Sequence, residues 1–395
     1  MRYQSYFNTA IGLLTQYKGA QPLVHYLKAY FAMHKKHGSR DRKIIAHLCY
    51  TYYRLGHAVK DLPVEERMRI ALFLCNGKAG EWHILYDAEW LAGWDEVLEN
   101  RLAYLQKRFQ TFSTLSIFPW HTALSEGIDA EAFAVSHLLQ PDLFLRIRPG
   151  KEKTVLRKLT EASIPFRSIS DTCLSLANGT KLEDVLAIDA EAVVQDYSSQ
   201  QIESLLKQIN LNPETEYHLW DCCAASGGKS LLAMDCFWHW VLTVSDIRPA
   251  ILRNLKERFD KAGIRNYQSF VADLTSPAFQ WPQQTGIKNF DTILCDAPCS
   301  GSGTWGRTPE QLYFFSEEQI SIFARRQKQI LQQVLPHLKP GGYLLYITCS
   351  VFKQENEDRV QELCDTNPLT LVDQQLFKGY SQHADTMFAA LLRKT

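Results

Sequence analysis

Asp296-Ala297-Pro298-Cys299-Ser300-Gly301 and Thr348-Cys349-Ser350 each follow an apolar run that reads as a buried strand, and each sets a thiol just past the strand's end. On one parallel sheet, two such thiols can face a common crevice. That suits chemistry on a ring carbon that is not nucleophilic by itself, such as C5 of cytosine. A thiolate adding at C6 gives C5 enamine or carbanion character. C5 then attacks an electrophilic methyl group and loses its proton, and the thiolate departs. The attacking thiol needs a lowered pKa, and an acid at the N3/N4 edge must absorb charge as it adds. The chemistry alone does not decide which thiol attacks. Cys349 and Asp296 can serve these two needs, with Cys299 assisting release. The Gly301-Ser302-Gly303 turn lets a base and the backbone meet closely.

A second constellation is the string Asp221-Cys222-Cys223-Ala224-Ala225-Ser226-Gly227-Gly228-Lys229-Ser230, read as strand, tight small-residue loop, then helix. A phosphate-wrapping Walker loop would need glycine at 223, where Cys223 stands, and the dinucleotide fingerprint G-x-G-x-x-G is absent. S-adenosylmethionine carries no phosphate and needs no such cradle. It needs an acid for its ribose hydroxyls on the following strand. Asp246 fits, and Asp273 could accept from the adenine amino group. The competing explanation is that these carboxylates only cap helices. Cys295, Cys299 and Cys349 are a conceivable metal set, but Cys295 lies within its strand and no histidine stands at ligand spacing, so no metal is expected. Cys49, Cys75, Cys236 and Cys364 read as small buried hydrophobes.

The elements that must position these groups follow from the pattern. From residue 191 onward strands alternate with helices, the signature of an α/β fold with a parallel sheet covered on both faces. Strands are expected at Tyr217–Trp220, Val241–Ser245, Tyr267–Ala272, Phe290–Cys295 and Tyr343–Thr348. The first four run into Asp221, Asp246, Asp273 and Asp296, a row of carboxylates along the ligand-bearing edge. Residues 139–190 read as a small α/β module, with strands near Leu143–Arg148, Pro165–Ser168 and Cys173–Leu176 around a helix at Glu152–Ala162. Residues 1–138 read as all helical. Leu23, Tyr26, Leu27, Tyr30 and Phe31 form one apolar face, and Ile45, Leu48, Cys49 and Tyr52 another. Gly38 is expected to stop the first of these helices and Ser39 to cap the next, with further helices at Val64–Leu74 and Trp90–Gln106.

Lysines and arginines balance aspartates and glutamates at 43 each. Residues 1–60, however, carry ten Lys/Arg against one acid, Asp41, a distribution compatible with phosphate binding or with cations at helix ends. The ten cysteines follow no disulfide spacing, which argues for a reducing compartment, cytoplasmic by default. The start of the chain lacks a signal-peptide core. The densest apolar stretch, Phe237–Val244, is too short to span a membrane. No feature points to an obligate protein partner.

Three of these strings carry a resemblance. Asp221–Ser230, Asp296–Gly303 with Thr304-Trp305-Gly306-Arg307, and Lys339–Ser350 resemble, in order and spacing, the RNA (cytosine-5)-methyltransferase family, in particular its bacterial ribosomal RNA branch known as Sun or Fmu. Val194–Gln200 matches the family's lead-in to its catalytic domain. Gly38–Arg42 before an apolar helix is similar to that branch's NusB-type helical domain, which implies an RNA-binding role for the basic front end. The resemblance implies a Rossmann-like catalytic domain over 191–395 that makes 5-methylcytosine from S-adenosylmethionine, with Cys349 attacking and Cys299 releasing. Its cofactor contacts map onto residues 222–229, Asp246, Asp273 and Asp296. Three positions depart from the family pattern: Ser226 stands for proline, Ile251 for a basic residue whose place Arg248 is expected to take, and Thr386-Met387 for Gly-Phe. Small-subunit (16S) ribosomal RNA is the expected substrate. Transfer RNA under the same chemistry, and a non-catalytic RNA-binding assembly factor, are the alternatives. DNA cytosine methylation fits less well, because those enzymes carry the attacking cysteine in a Pro-Cys string. A cytosine must be unstacked to be reached, so loop or single-stranded RNA is the expected form.

Overall fold

The computed structural model describes residues 2–210, 215–237 and 240–395. They fall into two compact units, Met1–Gln140 with Thr304–Ser316, and Pro141–Gly303 with Glu317–Thr395. Part of the apolar stretch 237–244, residues 238 and 239, lies outside the described residues, as does Met1 of the N-terminal string; the strand there starts at Trp240. No described helix is long and apolar enough to cross a membrane.

The first unit is all helical. Its main helices are α1 (Arg2–Gln16), α2 (Leu23–Met33), α3 (Ser39–Arg54) and α4 (Val64–Cys75). Both apolar faces read from the sequence pack into one aromatic-rich core, in which Ile45, Leu48 and Cys49 are wholly buried. Two local expectations shift. Helix α2 ends at Met33, before Gly38, and Gly38 rather than Ser39 caps α3. The Asp41 carboxylate accepts the Gly38 N–H at 3.0 Å and closes that turn. The expected helix over Trp90–Gln106 is two helices, α5 (Ala88–Ala92) and α6 (Leu98–Arg108). Asp95 accepts the Val97 N–H at 2.7 Å between them, offering the backbone a turn in place of a continued helix. Residues 304–316 pack with these helices although they follow the Cys299 string in sequence. Glu310 accepts the Leu23 N–H at the start of α2, 3.1 Å away, and Arg54 donates to the carbonyls of His137, Leu139 and Gly306.

The second unit holds two sheets. The small one consists of β1 (Leu143–Ile147), β2 (Arg167–Ser168), β3 (Cys173–Leu176) and β4 (Ala192–Val194), in the order β2-β3-β1-β4, all antiparallel. Strand β4 was not expected; it pairs with β1 at the very start of the segment read as the catalytic domain. Arg146 and Arg148 are turned inward, since both pair with the buried Asp235 carboxylate.

The large sheet contains β5 (Tyr217–Asp221), β6 (Trp240–Asp246), β7 (Tyr267–Val271), β8 (Phe290–Asp296), β9 (Leu338–Thr348), β10 (Leu369–Lys378) and β11 (Thr386–Lys394). Its order is β10-β11-β9-β8-β5-β6-β7. The five expected strands are all present and mutually parallel, but the sheet is mixed: β11 runs antiparallel to β9, and β10 to β11. Helices Gly228–Cys236, Pro249–Ala262 and Glu318–Val334 make crossovers, and apolar clusters cover both faces. The fold is Rossmann-like. From β5 the chain moves outward to β6 and β7, then returns to the other side of β5 as β8, so the strand order reverses between β5 and β8. That reversal opens a crevice at the carboxyl ends of these strands.

Candidate active site

The crevice is a cleft of about 560 Å³, within the range of small-molecule sites. Cys222, Cys223, Ala225, Asp246, Asp273, Asp296, Cys299 and Cys349 all line it. Register explains the convergence. Asp221 stands beside Leu294 across β5 and β8, and Asp296 beside Ile347 across β8 and β9, so three loops leave the sheet at one level.

The two thiols of the opening strings meet. Cys299 Sγ and Cys349 Sγ are 3.2 Å apart. The neighbouring Cys349 thiol and burial together push the Cys299 thiol well up, so Cys299 keeps its proton, as suits a group that donates one. Asp296 lies at the same edge, where Lys229 Nζ stands 3.3 Å from its Oδ2 and donates to Ser199 Oγ at 2.8 Å. Lys229 is thus tied to the carboxylate assigned to the reacting base, although sequence reasoning placed it only in the cofactor loop.

A buried network not foreseen in the sequence fixes the two cysteine loops. Glu355 is fully buried. It accepts from the Ser300 N–H at 2.9 Å, Ser350 Oγ at 2.6 Å and Gln327 Nε2 at 2.9 Å. Ser300 and Ser350 directly follow Cys299 and Cys349, so one carboxylate anchors both thiol-bearing turns. Burial raises the Glu355 carboxyl above its ordinary value, and the four hydrogen-bond contributions from Ser300, Ser350 and Gln327 oppose this. Ser302 Oγ adds a link to the Val351 N–H at 2.9 Å. Gly303 closes the turn where only a hydrogen fits, because a Cβ there would lie 1.9 Å from the Thr386 carbonyl oxygen.

In the second loop, Ala225 has φ +46° and Gly227 φ +83°, and the Ala225 N–H donates to Asp246 Oδ2 at 3.0 Å. The residue side of Gly227 faces the Phe259 ring, 2.6 Å from a Cβ built there. The glycine serves the left-handed turn and the packing against the next helix. Ala224, Ser226, Gly227, Gly228 and Lys229 are not among the residues lining the cleft. Ser226, where the family has proline, lies 3.3 Å from Arg258 Nη1, which offers its Oγ a hydrogen bond.

The row of carboxylates divides. Asp221 does not reach the cleft: it is wholly buried, accepts from Ser230 Oγ at 2.6 Å, and is pushed up to about 7 chiefly by burial. Asp273 accepts from the Thr275 N–H and Oγ1 at 2.9 and 2.6 Å, which lowers its carboxyl. It therefore caps a turn while also lining the cleft. Asp246 is 6% exposed and receives Arg248 Nε at 3.0 Å. Arg248 lines the cleft in place of the basic residue expected at 251, and Arg326, on the helix Glu318–Val334, was not foreseen. The donor set suits a nucleoside without phosphate. Asp246 and Asp273 offer acceptor oxygens to hydroxyl and amino groups in the cleft, and the loop that a phosphate would need is instead packed against Phe259.

The described thiols at this edge sort into a pair and a triad. The sulfur of Cys295 groups with those of Cys222 and Cys223, all within 4.8 Å of one another. Hydrogen bonds from these two lower the Cys295 thiol to about 6 against burial. Among the cysteines read as core, Cys49 is buried and burial pushes its thiol up to about 12, while Cys75, Cys236 and Cys364 are partly buried.

Residues 208–392 match the family model described as 16S rRNA methyltransferase RsmB/F. The chain is 30% identical over 241 residues to "Ribosomal RNA small subunit methyltransferase B" of Xylella fastidiosa, covering 60% of this chain and 53% of that protein. It is 30% identical over 273 residues to the protein of the same name from Pasteurella multocida, covering 65% and 59%. The chain thus spans between half and three fifths of these relatives' length. A solved methyltransferase homologue from Pyrococcus horikoshii shares the fold, with a TM-score of 0.58 and 20% identity over 72% of this chain and 96% of that one. The likeness to the family described as 16S rRNA methyltransferase RsmB/F thus covers residues 208–392, a little under half of the chain.

Proposed function

We propose that this protein methylates C5 of cytosine in RNA, with small-subunit ribosomal RNA as substrate and S-adenosylmethionine as donor. The observation that carries the reading is the 3.2 Å pair of Cys299 and Cys349 beside Asp296, in a cleft that Asp246 and Asp273 also line. When bound, S-adenosylmethionine supplies an electrophilic methyl group. Asp246 and Asp273 would hold its hydroxyl and amino groups, with Cys223 and Ala225 along the wall.

Cys349 adds through sulfur to C6 of an unstacked cytosine. Asp296 hydrogen-bonds the N3/N4 edge and steadies the charge that reaches it, and Lys229 holds Asp296 in place. Once C5 carries the methyl group, its proton passes to water in the cleft, the C5–H electron pair restores the C5–C6 double bond, and the C6–sulfur pair returns to Cys349 as thiolate. Cys299, 3.2 Å from Cys349, assists that departure by hydrogen-bonding the leaving sulfur. Glu355 sets the separation of the two sulfurs through Ser300 and Ser350.

In this reading residues 1–138 form an RNA-binding helical domain, 139–190 a small α/β module and 191–395 the catalytic domain, and the enzyme is cytoplasmic. The exposed cations Lys35 and Lys36 between α2 and α3, with Arg40 and Lys43 near the start of α3, offer a phosphate-binding face.

The reading is tested by transfer of labelled methyl from S-adenosylmethionine to ribosomal RNA and, separately, to transfer RNA. Methylation of 16S RNA at cytosine is expected, and Cys349→Ala should abolish it while donor binding persists. Labelling of transfer RNA alone would reassign the substrate. Wild-type turnover by Cys349→Ala would overturn the nucleophile.

A further inference from the structure

Three thiols beneath the cleft take no part in the chemistry above. Cys222 leaves β5 and Cys295 ends the buried part of β8. The Cys222 N–H donates to the Leu294 carbonyl at 3.0 Å, which holds the two side by side. Cys222 is 1% exposed and Cys295 0%. Cys223 is partly exposed and lines the cleft. Their three sulfurs lie within 4.8 Å of one another.

Those distances approach a metal site. With zinc–sulfur bonds of about 2.3 Å, three thiolates around one ion stand roughly 4 Å apart. Closing from the observed spread requires rotamer adjustment but no change of strand register. The electrostatics also favour a cation. Asp221, the residue before Cys222, is wholly buried, and its Oδ1 has no hydrogen-bond partner. Asp296 follows Cys295 directly. Apart from Lys229, which the Asp296 carboxylate already engages, the titratable groups closest in sequence to the triad are acids. A dication held by the three sulfurs would supply this region with a counter-charge. Cys223 provides the way in from the cleft.

We infer that Cys222, Cys223 and Cys295 form a binding site for a single thiophilic divalent cation of the zinc class, entered from the cleft. Binding forms three sulfur–metal bonds and releases to solvent the protons that the three sulfurs still carry, with water from the cleft completing a tetrahedron. No oxidation state changes. The inference does not depend on the methyl-transfer reading, because the three sulfurs form and break no bond in it, although Cys223 also lines the cleft.

The test is titration of the full-length, reduced and chelator-treated protein with cadmium ion, followed by sulfur-to-metal charge-transfer absorbance in the near ultraviolet. One ion per chain is expected, displaced by zinc. Cys295→Val and Cys222→Ala should each weaken binding at least tenfold, while the double variant Cys299→Ser/Cys349→Ser should keep it. Circular dichroism reports whether each variant is folded, and either triad variant suffices if the other is not. Three results would overturn the site: no thiolate band in the wild type at micromolar cadmium, full stoichiometry in a folded triad variant, or loss of the band in the Cys299→Ser/Cys349→Ser variant, which would place the ion on the reactive pair.

Discussion

At the scale of residues, the site divides into groups proposed to touch the reacting base and one group that holds them. Cys349, Cys299 and Asp296 were legible because each stands just past an apolar strand, where a polar or reactive side chain has no packing reason to be. Glu355 was not. It sits in the polar run Lys353-Gln354-Glu355-Asn356-Glu357-Asp358, which reads as solvated surface, and only the tertiary fold buries it under both cysteine turns. Removing a buried, multiply bonded carboxylate strands its donors, at a cost on the order of 3 kcal/mol. Glu355→Ala should therefore lower the stability read from urea unfolding by about that much and slow methyl transfer strongly. Glu355→Gln, which retains two acceptor lone pairs, should lose less of both. An alanine variant as active as wild type would detach Glu355 from the geometry of the thiol pair.

At the scale of elements, the five parallel strands were readable from their apolar runs. The two antiparallel strands beside them were not. Strand β10 (Leu369-Thr370-Leu371-Val372-Asp373-Gln374-Gln375-Leu376-Phe377-Lys378) mixes polar and apolar residues, as an edge strand with solvent on one side does. Its partner β11 is apolar from Met387 to Leu392, but it follows the last motif and so carried no signal of its place next to β9. That place matters, because β11 begins at Thr386, whose carbonyl oxygen occupies the space a side chain at 303 would need. The Gly301-Ser302-Gly303 turn was read as allowing a base close approach; at Gly303 the close neighbour is the sheet's own backbone. Gly303→Ala should displace the Cys299 turn, lowering the melting temperature by several degrees and methyl transfer by more than tenfold. An alanine variant matching wild type in both would show that the turn yields freely.

At the scale of the whole chain, the balanced charge concealed an uneven distribution, and the order of the motifs concealed a discontinuous unit. Residues 304–316 pack with the helices of 1–140, which no periodicity could reveal, because compactness depends on contacts distant in sequence. The basic front end was only partly a surface property. Arg54 is buried and spends its guanidinium on backbone carbonyls, whereas Lys35, Lys36, Arg40 and Lys43 are exposed.

The helical unit also carries an acid sensitivity. His57 and His137 bond the carbonyls of Leu312 and Phe133, and burial lowers each to about 4 from an ordinary 6.5. A histidine held neutral in the fold but protonated when unfolded stabilises the fold fully above pH 6.5. The contribution is lost as pH falls from there towards 4, up to roughly 3 kcal/mol for the fully buried His137. Urea midpoints measured from pH 7.5 to 4.5 should fall, and His137→Gln should flatten the decline. A pH-independent midpoint would contradict the buried neutral state.

The central claim is that Cys349 bonds the base and Cys299 lets it go. The direct measurement is peptide mapping of the covalent protein–RNA species formed by Cys299→Ala with ribosomal RNA and S-adenosylmethionine. The account predicts that a slowly migrating adduct accumulates, with its nucleotide on the peptide containing Cys349. Normal turnover without an adduct, or a nucleotide found on any other residue, would contradict it.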